Sequence, residues 1–162
     1  MKIIRAVPFI TTVLIMAVIF GFSSQSSETS SEISVDFTEH IVDSLPIIRD
    51  MSDAEKKEFV TGIHRFVRKA AHFTLYAMLG FSAAAMFFSI KPKRRALYIW
   101  LLAVIMSFIY ASTDEFHQMF VGGRGPRVSD VFLDTAGSMF GGGMFFLIKK
   151  LFYKIRSFFL AS

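Results

Sequence analysis

The sequence predicts an all-α protein, a four-helix transmembrane bundle with an extracellular amphipathic helix between spans one and two. Three observations predict it. Apolar residues form 53% of the chain and fall into four long runs, while the charges collect between the runs. Four such runs cannot share one water-soluble core of this size, but they can face lipid, where a span takes roughly 20 apolar residues. Lys and Arg gather at the ends of the runs, where they set membrane orientation. Twenty phenylalanines and nine methionines against one tryptophan also suit a lipid-facing chain better than a close-packed soluble core.

The spans are expected at 6–22, 70–90, 96–112 and 131–148, all within a single membrane domain covering 1–162. The first run follows Lys2 and Arg5 and precedes Ser23, Ser24 and Ser26. A secretory signal peptide also has a basic start and an apolar stretch, but usually a shorter one, so an uncleaved span is the expectation. Ser23 to Glu32 is serine-rich and polar, and the stretch from Ser34 to Met51 mixes apolar residues with acids and Pro46. Ser52-Asp-Ala-Glu55 reads as a capping box. Phe59, Ile63, Phe66 and Ala70 follow at helical spacing, as in an amphipathic helix on the membrane surface that feeds the second span. Lys91-Pro-Lys-Arg-Arg95 ends that span, and Tyr98 and Trp100 are placed to anchor the third at the interface.

The basic amino end, the basic loop 91–95 and the basic carboxyl tail fall on one side of an even number of spans. Positive-inside assigns that side to the cytoplasm of a plasma membrane protein and puts 23–69 and 113–130 outside. The net charge of +5 therefore reports orientation rather than nucleic-acid binding. With no cysteine, disulfides, zinc thiolate sites and thiol chemistry are excluded.

Polar residues then converge on the outer side. Arg68, Lys69, His72 and Tyr76 stand at the outer end of span two, with Arg68, His72 and Tyr76 four apart on one face. Asp114, Glu115, His117 and Gln118 follow span three, and Arg124, Arg127, Asp130 and Asp134 lead into span four. An ionisable group below the interface must be paired or face water, which makes it a candidate functional residue. Singly, each has a plainer reading. His72 and Tyr76 can hydrogen-bond within the bundle, Arg124 and Arg127 can touch lipid phosphate, and Gly122, Gly123, Gly125 and Pro126 can turn the chain. Gly137, Gly141, Gly142 and Gly143 suit close helix contact, and the serines at 23–31 suit a solvated linker. The co-location of three clusters is what points to a site.

Phe22-Ser-Ser-Gln-Ser-Ser27, Arg68-Lys-Ala-Ala-His-Phe73 with Tyr76, Asp114-Glu-Phe-His-Gln-Met-Phe120, and Arg124 leading to Asp130 and Gly137 occur in order across nearly the whole chain. Together they resemble the VanZ-like family, named for a membrane protein associated with resistance to teicoplanin. The resemblance implies a family and a cell-envelope location, and no particular reaction. Two functional readings of the site follow from the residues. In one, Arg68, Lys69, Arg124 and Arg127 contact an anionic amphiphile (a lipid head group, a lipid-linked wall precursor or a lipoglycopeptide), with Tyr76, Gln118 and Asp130 beside them. In the other, a membrane-embedded hydrolase or transferase uses His72, Asp114, Glu115, His117 and Asp134, with His117 paired to Asp114 or Asp134 as general base. A third makes the cluster a structural polar cap. No cofactor is predicted, and a divalent metal held by imidazole and carboxylate stays open.

Overall fold

The computed structural model describes residues 2–24, 52–121 and 127–161. Among these are four helices and no strand: α1 (Lys2–Ser23), α2 (Asp53–Ile90), α3 (Ala96–Gln118) and α4 (Val128–Ala161). Each contains a stretch long and apolar enough to cross a bilayer.

Local chemistry explains the helix ends. The Ser52 hydroxyl caps α2 by accepting from the Glu55 amide, while Glu55 accepts from the Ser52 amide at 2.9 Å. The Ser52 hydroxyl also donates to the same carboxylate at 2.6 Å, and this bond holds Glu55 below the ordinary carboxylate range. α2 stops where Lys91 precedes Pro92, since a proline disfavours helical geometry in the residue before it. The short link from there to α3 makes the two helices antiparallel neighbours.

Two expected boundaries moved. The amphipathic stretch from Ser52 to Lys69 is not a separate helix but runs without a break into the second span, giving a helix of 38 residues. At 1.5 Å per residue α2 is roughly 57 Å long, against about 30 Å of hydrocarbon core. No proline interrupts it, and its one early glycine, Gly62, is tolerated. The rest of the expected outer segment, 25–51, lies outside the described residues. α3 continues to Gln118 instead of ending near 112, because its last polar residues turn inward and keep the helix packed.

α2 is the hub. It packs most extensively on α4, then on α1, and also touches α3, while α3 packs on α4 and barely meets α1. The α2–α4 contact is a seam of small residues. A Cβ on Gly137 would strike the Phe73 carbonyl, one on Gly141 the Ala77 carbonyl, and one on Gly80 the Ser138 carbonyl. Such small residues let helix backbones approach in a membrane, where apolar burial does not drive association. Beside the seam, Ile19, Tyr76, Leu79 and Ala111 form one buried cluster and Ala83, Ala84 and Ala103 another. Trp100 joins α3 to α4, since its indole donates to the Met139 carbonyl at 3.0 Å and its ring faces Gly142.

The glycines separate into seam and surface. Gly141→Ala must move a backbone and is expected to lower the thermal midpoint in detergent, by overpacking worth about 1–3 kcal/mol. Gly143→Ala meets nothing within 4 Å and is expected to leave the midpoint unchanged or raise it, by up to about 1 kcal/mol of helix propensity. Equal effects from the two substitutions would remove the seam from this account.

Candidate functional site

All four helices bring polar side chains to one end of the bundle, at the carboxyl ends of α1 and α3, the middle of α2 and the first turns of α4. On α2, burial increases inward by whole turns. Arg68 is half-buried, the His72 side chain is 17% exposed, and Tyr76 is fully buried. α4 answers with two acids one turn apart. Asp130 Oδ1 lies 3.8 Å from Lys69 Nζ, and Asp134 Oδ2 lies 3.5 Å from His72 Nδ1. These two ionic rungs stand directly above the glycine seam, which continues the same α2–α4 contact inward.

α3 contributes three buried groups, Asp114, Glu115 and Gln118. Asp114 Oδ2 accepts from Ser23 Oγ at 2.6 Å and from Gln118 Nε2 at 3.3 Å. Gln118 Nε2 also donates to Ser23 Oγ at 3.2 Å, closing a triangle between α1 and α3. Glu115 Oε2 accepts from the Arg127 backbone amide at 2.8 Å. That bond sets a carboxylate against the amino end of α4, where the helix dipole favours negative charge. Tyr110, one turn inward of Asp114, donates to the Met16 carbonyl at 2.6 Å and so ties α3 to α1 a second time.

Some buried oxygens are left over. Tyr76 Oη, Asp114 Oδ1, Asp134 Oδ1, Ser107 Oγ and Ser138 Oγ are buried and have no hydrogen-bond partner among the described residues. Buried polar atoms are ordinarily satisfied, so five at and below one cluster call for an explanation.

The pattern that links these motifs is a family pattern. Residues 9–149 match the VanZ/LLP1 family. The chain belongs to the VanZ/LLP1 family. No curated protein and no solved structure matches it. With four helices able to cross a bilayer, it is a multi-pass membrane protein of the VanZ type.

The VanZ-type bundle brings together His72, Tyr76, Asp114, Glu115, Gln118, Asp130 and Asp134, with Lys69 at the edge. It does not form the expected pair between His117 and Asp114 or Asp134. His117 stacks on Phe20 with ring centroids 4.8 Å apart, and its Nε2 lies 3.3 Å from Ser24 Oγ. Three residues along a helix turn the side chain by about 60° from its predecessor's face, which sets His117 against Phe20 and Ser24 beside the Ser23–Asp114 contact. A histidine–aspartate pair does form, between His72 and Asp134, as the depth of His72 in its span requires. Arg127 is exposed and supplies its amide, not its side chain, to Glu115. Arg124 lies outside the described residues. Among those described, no three His, Asp or Glu side chains are grouped to hold a metal ion.

Ser23 is the member of the polar cluster that the VanZ-type sequence concealed. Read as the start of a polar linker, it is instead buried and donates the shortest bond to Asp114. The available signal was register, because Thr12, Ile19 and Ser23 are the buried residues of α1 and share one helical face.

The His72–Asp134 contact generates a sharp expectation. His72→Ala leaves Asp134 buried with neither oxygen partnered, and losing one member of a buried pair costs about 3–5 kcal/mol. The thermal midpoint in detergent should fall strongly for that variant and recover in part for His72→Ala combined with Asp134→Ala. Additive losses in the double variant would show that the two side chains do not interact.

Proposed function

We propose that this VanZ-type protein works in the cell envelope and that its polar end engages an anionic amphiphile at the outer leaflet boundary of the plasma membrane. One observation carries the proposal: cationic side chains lie just outward of a buried, ionisable floor. Arg68 and Lys69 stand about one turn outward of His72, and Arg127 three residues outward of Asp130. Guanidinium groups pair well with phosphate and carboxylate. A phospholipid, a lipid-linked wall precursor and a lipoglycopeptide of the teicoplanin type all combine such an anion with apolar chains. Engagement of the last would connect the protein to resistance. The outward orientation rests on the basic residues at the amino end, in 91–95 and after Ile148, which favour the cytoplasm for both termini.

The His72–Asp134 contact favours a second reading, a membrane-embedded hydrolase or transferase acting on a lipid-linked substrate. A carboxylate at Nδ1 orients the imidazole and leaves Nε2 to exchange a proton with a bound ligand. The two readings share one site and differ in whether the bound molecule is changed.

Single cysteines test the orientation in a chain that has none. A cysteine at position 120 is expected to react with an impermeant reagent on intact cells, and one at position 93 to be protected. The reverse pattern would place the polar end in the cytoplasm and end the outer-leaflet reading. Arg68→Ala and Arg127→Ala are each expected to reduce co-purifying anionic phospholipid by about tenfold or more, the effect of one charge-assisted contact. Unchanged lipid retention in folded protein would leave the cluster as a structural cap.

A further inference from the structure

The unpartnered oxygens are not scattered. Tyr76 Oη, Asp114 Oδ1 and Asp134 Oδ1 come from α2, α3 and α4 at the polar end of the bundle. Asp134 touches His72, one turn outward of Tyr76. Tyr76 and Tyr110 have ring centroids 6.3 Å apart, and Tyr110 is one turn inward of Asp114. Ser107 and Ser138 lie deeper, on α3 and α4.

The charge count inside the cluster is lopsided. Asp114 and Asp134 are nearly inaccessible, at 4% and 1% exposure. Asp134 has His72, but the only partners of Asp114 among the described residues are the neutral side chains of Ser23 and Gln118. Glu115 adds a third acid, answered by a backbone amide. Lys69 is engaged further out with Asp130. A buried carboxylate without a cation is costly, and costlier still in a membrane, so the cluster is short of positive charge and of hydrogen-bond donors.

We infer that Tyr76, Asp114 and Asp134 form a subsite for a primary ammonium group, so that the amphiphile engaged here carries an amine beside its anionic group. The inference rests on the proposed amphiphile site and names the chemistry of the part that enters deepest. A primary ammonium brings three N–H donors and one positive charge, matching three free acceptors on an acidic floor. A second anion is repelled there. A quaternary ammonium brings charge but no donor, and a hydroxyl brings one donor and no charge. The rim cations then hold the phosphate or carboxylate while the floor holds the amine, so the two charges of one head group are read at two depths.

Native mass spectrometry of the full chain in detergent tests this with two lipids of identical acyl chains, phosphatidylethanolamine and phosphatidylcholine. They share the phosphate and differ in whether the ammonium has three N–H groups or none. The protein is expected to retain phosphatidylethanolamine at least about tenfold better. Tyr76→Phe and Asp114→Asn keep the side-chain shapes and should bring the ratio toward one. Arg127→Ala should lower retention of both lipids and leave the ratio alone. Equal retention by the unmodified protein overturns the subsite, as does a preference that survives both Tyr76→Phe and Asp114→Asn. Equal retention that is still reduced by Arg127→Ala removes the ammonium subsite and leaves the amphiphile site standing. No retention of either lipid removes the ammonium subsite, and the amphiphile site is then decided by the anionic phospholipid alone. A final arm adds soluble ethanolamine phosphate. Displacement of the lipid upholds the subsite as a head-group reader open to free solutes, and absence of displacement upholds it as one that needs the acyl chains.

Discussion

The near-contact of the α2 and α4 backbones at Gly80, Gly137 and Gly141 is the constraint on which the rest of the bundle depends. Lipid tails are as apolar as the helices they surround, so helices associate through van der Waals packing and hydrogen bonds rather than by hiding oily surface from water. The seam supplies that packing without side-chain bulk. It also fixes the spacing and rotation of the two helices one turn further out, where Lys69 meets Asp130 and His72 meets Asp134. A helix pair held apart by larger side chains would leave those acids facing Lys69 and His72 across a gap. The small-residue packing and the ionic rungs are thus two stretches of one contact.

The other two helices complete the site by a different means. Each buried acid is held by a different kind of donor: Asp134 by an imidazole, Asp114 by a hydroxyl and a side-chain amide, Glu115 by a backbone amide. The donors come from every other part of the fold, so no carboxylate is satisfied within its own helix alone. α1 has little direct packing on α3, yet it reaches that helix through Ser23 and through Met16, whose carbonyl accepts from Tyr110. Assembly of the four helices and assembly of the polar cluster are consequently one event.

Much of this was legible in the residues. The four spans and the convergence of His72, Asp114 and Asp134 follow from hydropathy, from the positions of Lys and Arg, and from helical periodicity. Their limits did not follow. Hydropathy marks where a helix stops being apolar, not where its hydrogen bonds stop, so α2 and α4 run well past the expected spans. Polar identity misled at Ser23, because a serine at the end of an apolar run reads as the start of a loop unless its register with Ile19 is followed. Partner choice was the least legible. His117 and Asp114 are close in sequence and both meet α1, but Asp114 does so through the buried Ser23 and His117 through Phe20 and Ser24 at the more exposed edge. The anchoring of Glu115 by the Arg127 amide had no sequence signature, since any residue but proline offers that donor.

Trp100 sets up a useful separation. It is the chain's one tryptophan, and it lies against Gly142 with its indole bonded to the Met139 carbonyl. Fourteen residues of α3 separate it from Asp114, roughly 21 Å along the helix axis. Its fluorescence therefore comes from a single place, the join between α3 and α4 at the end remote from the polar cluster. The protein carries an intrinsic optical gauge of whether its helices are docked, and one that a molecule bound among the acids would not quench by contact. Folding and occupancy can be followed by independent signals in the same sample.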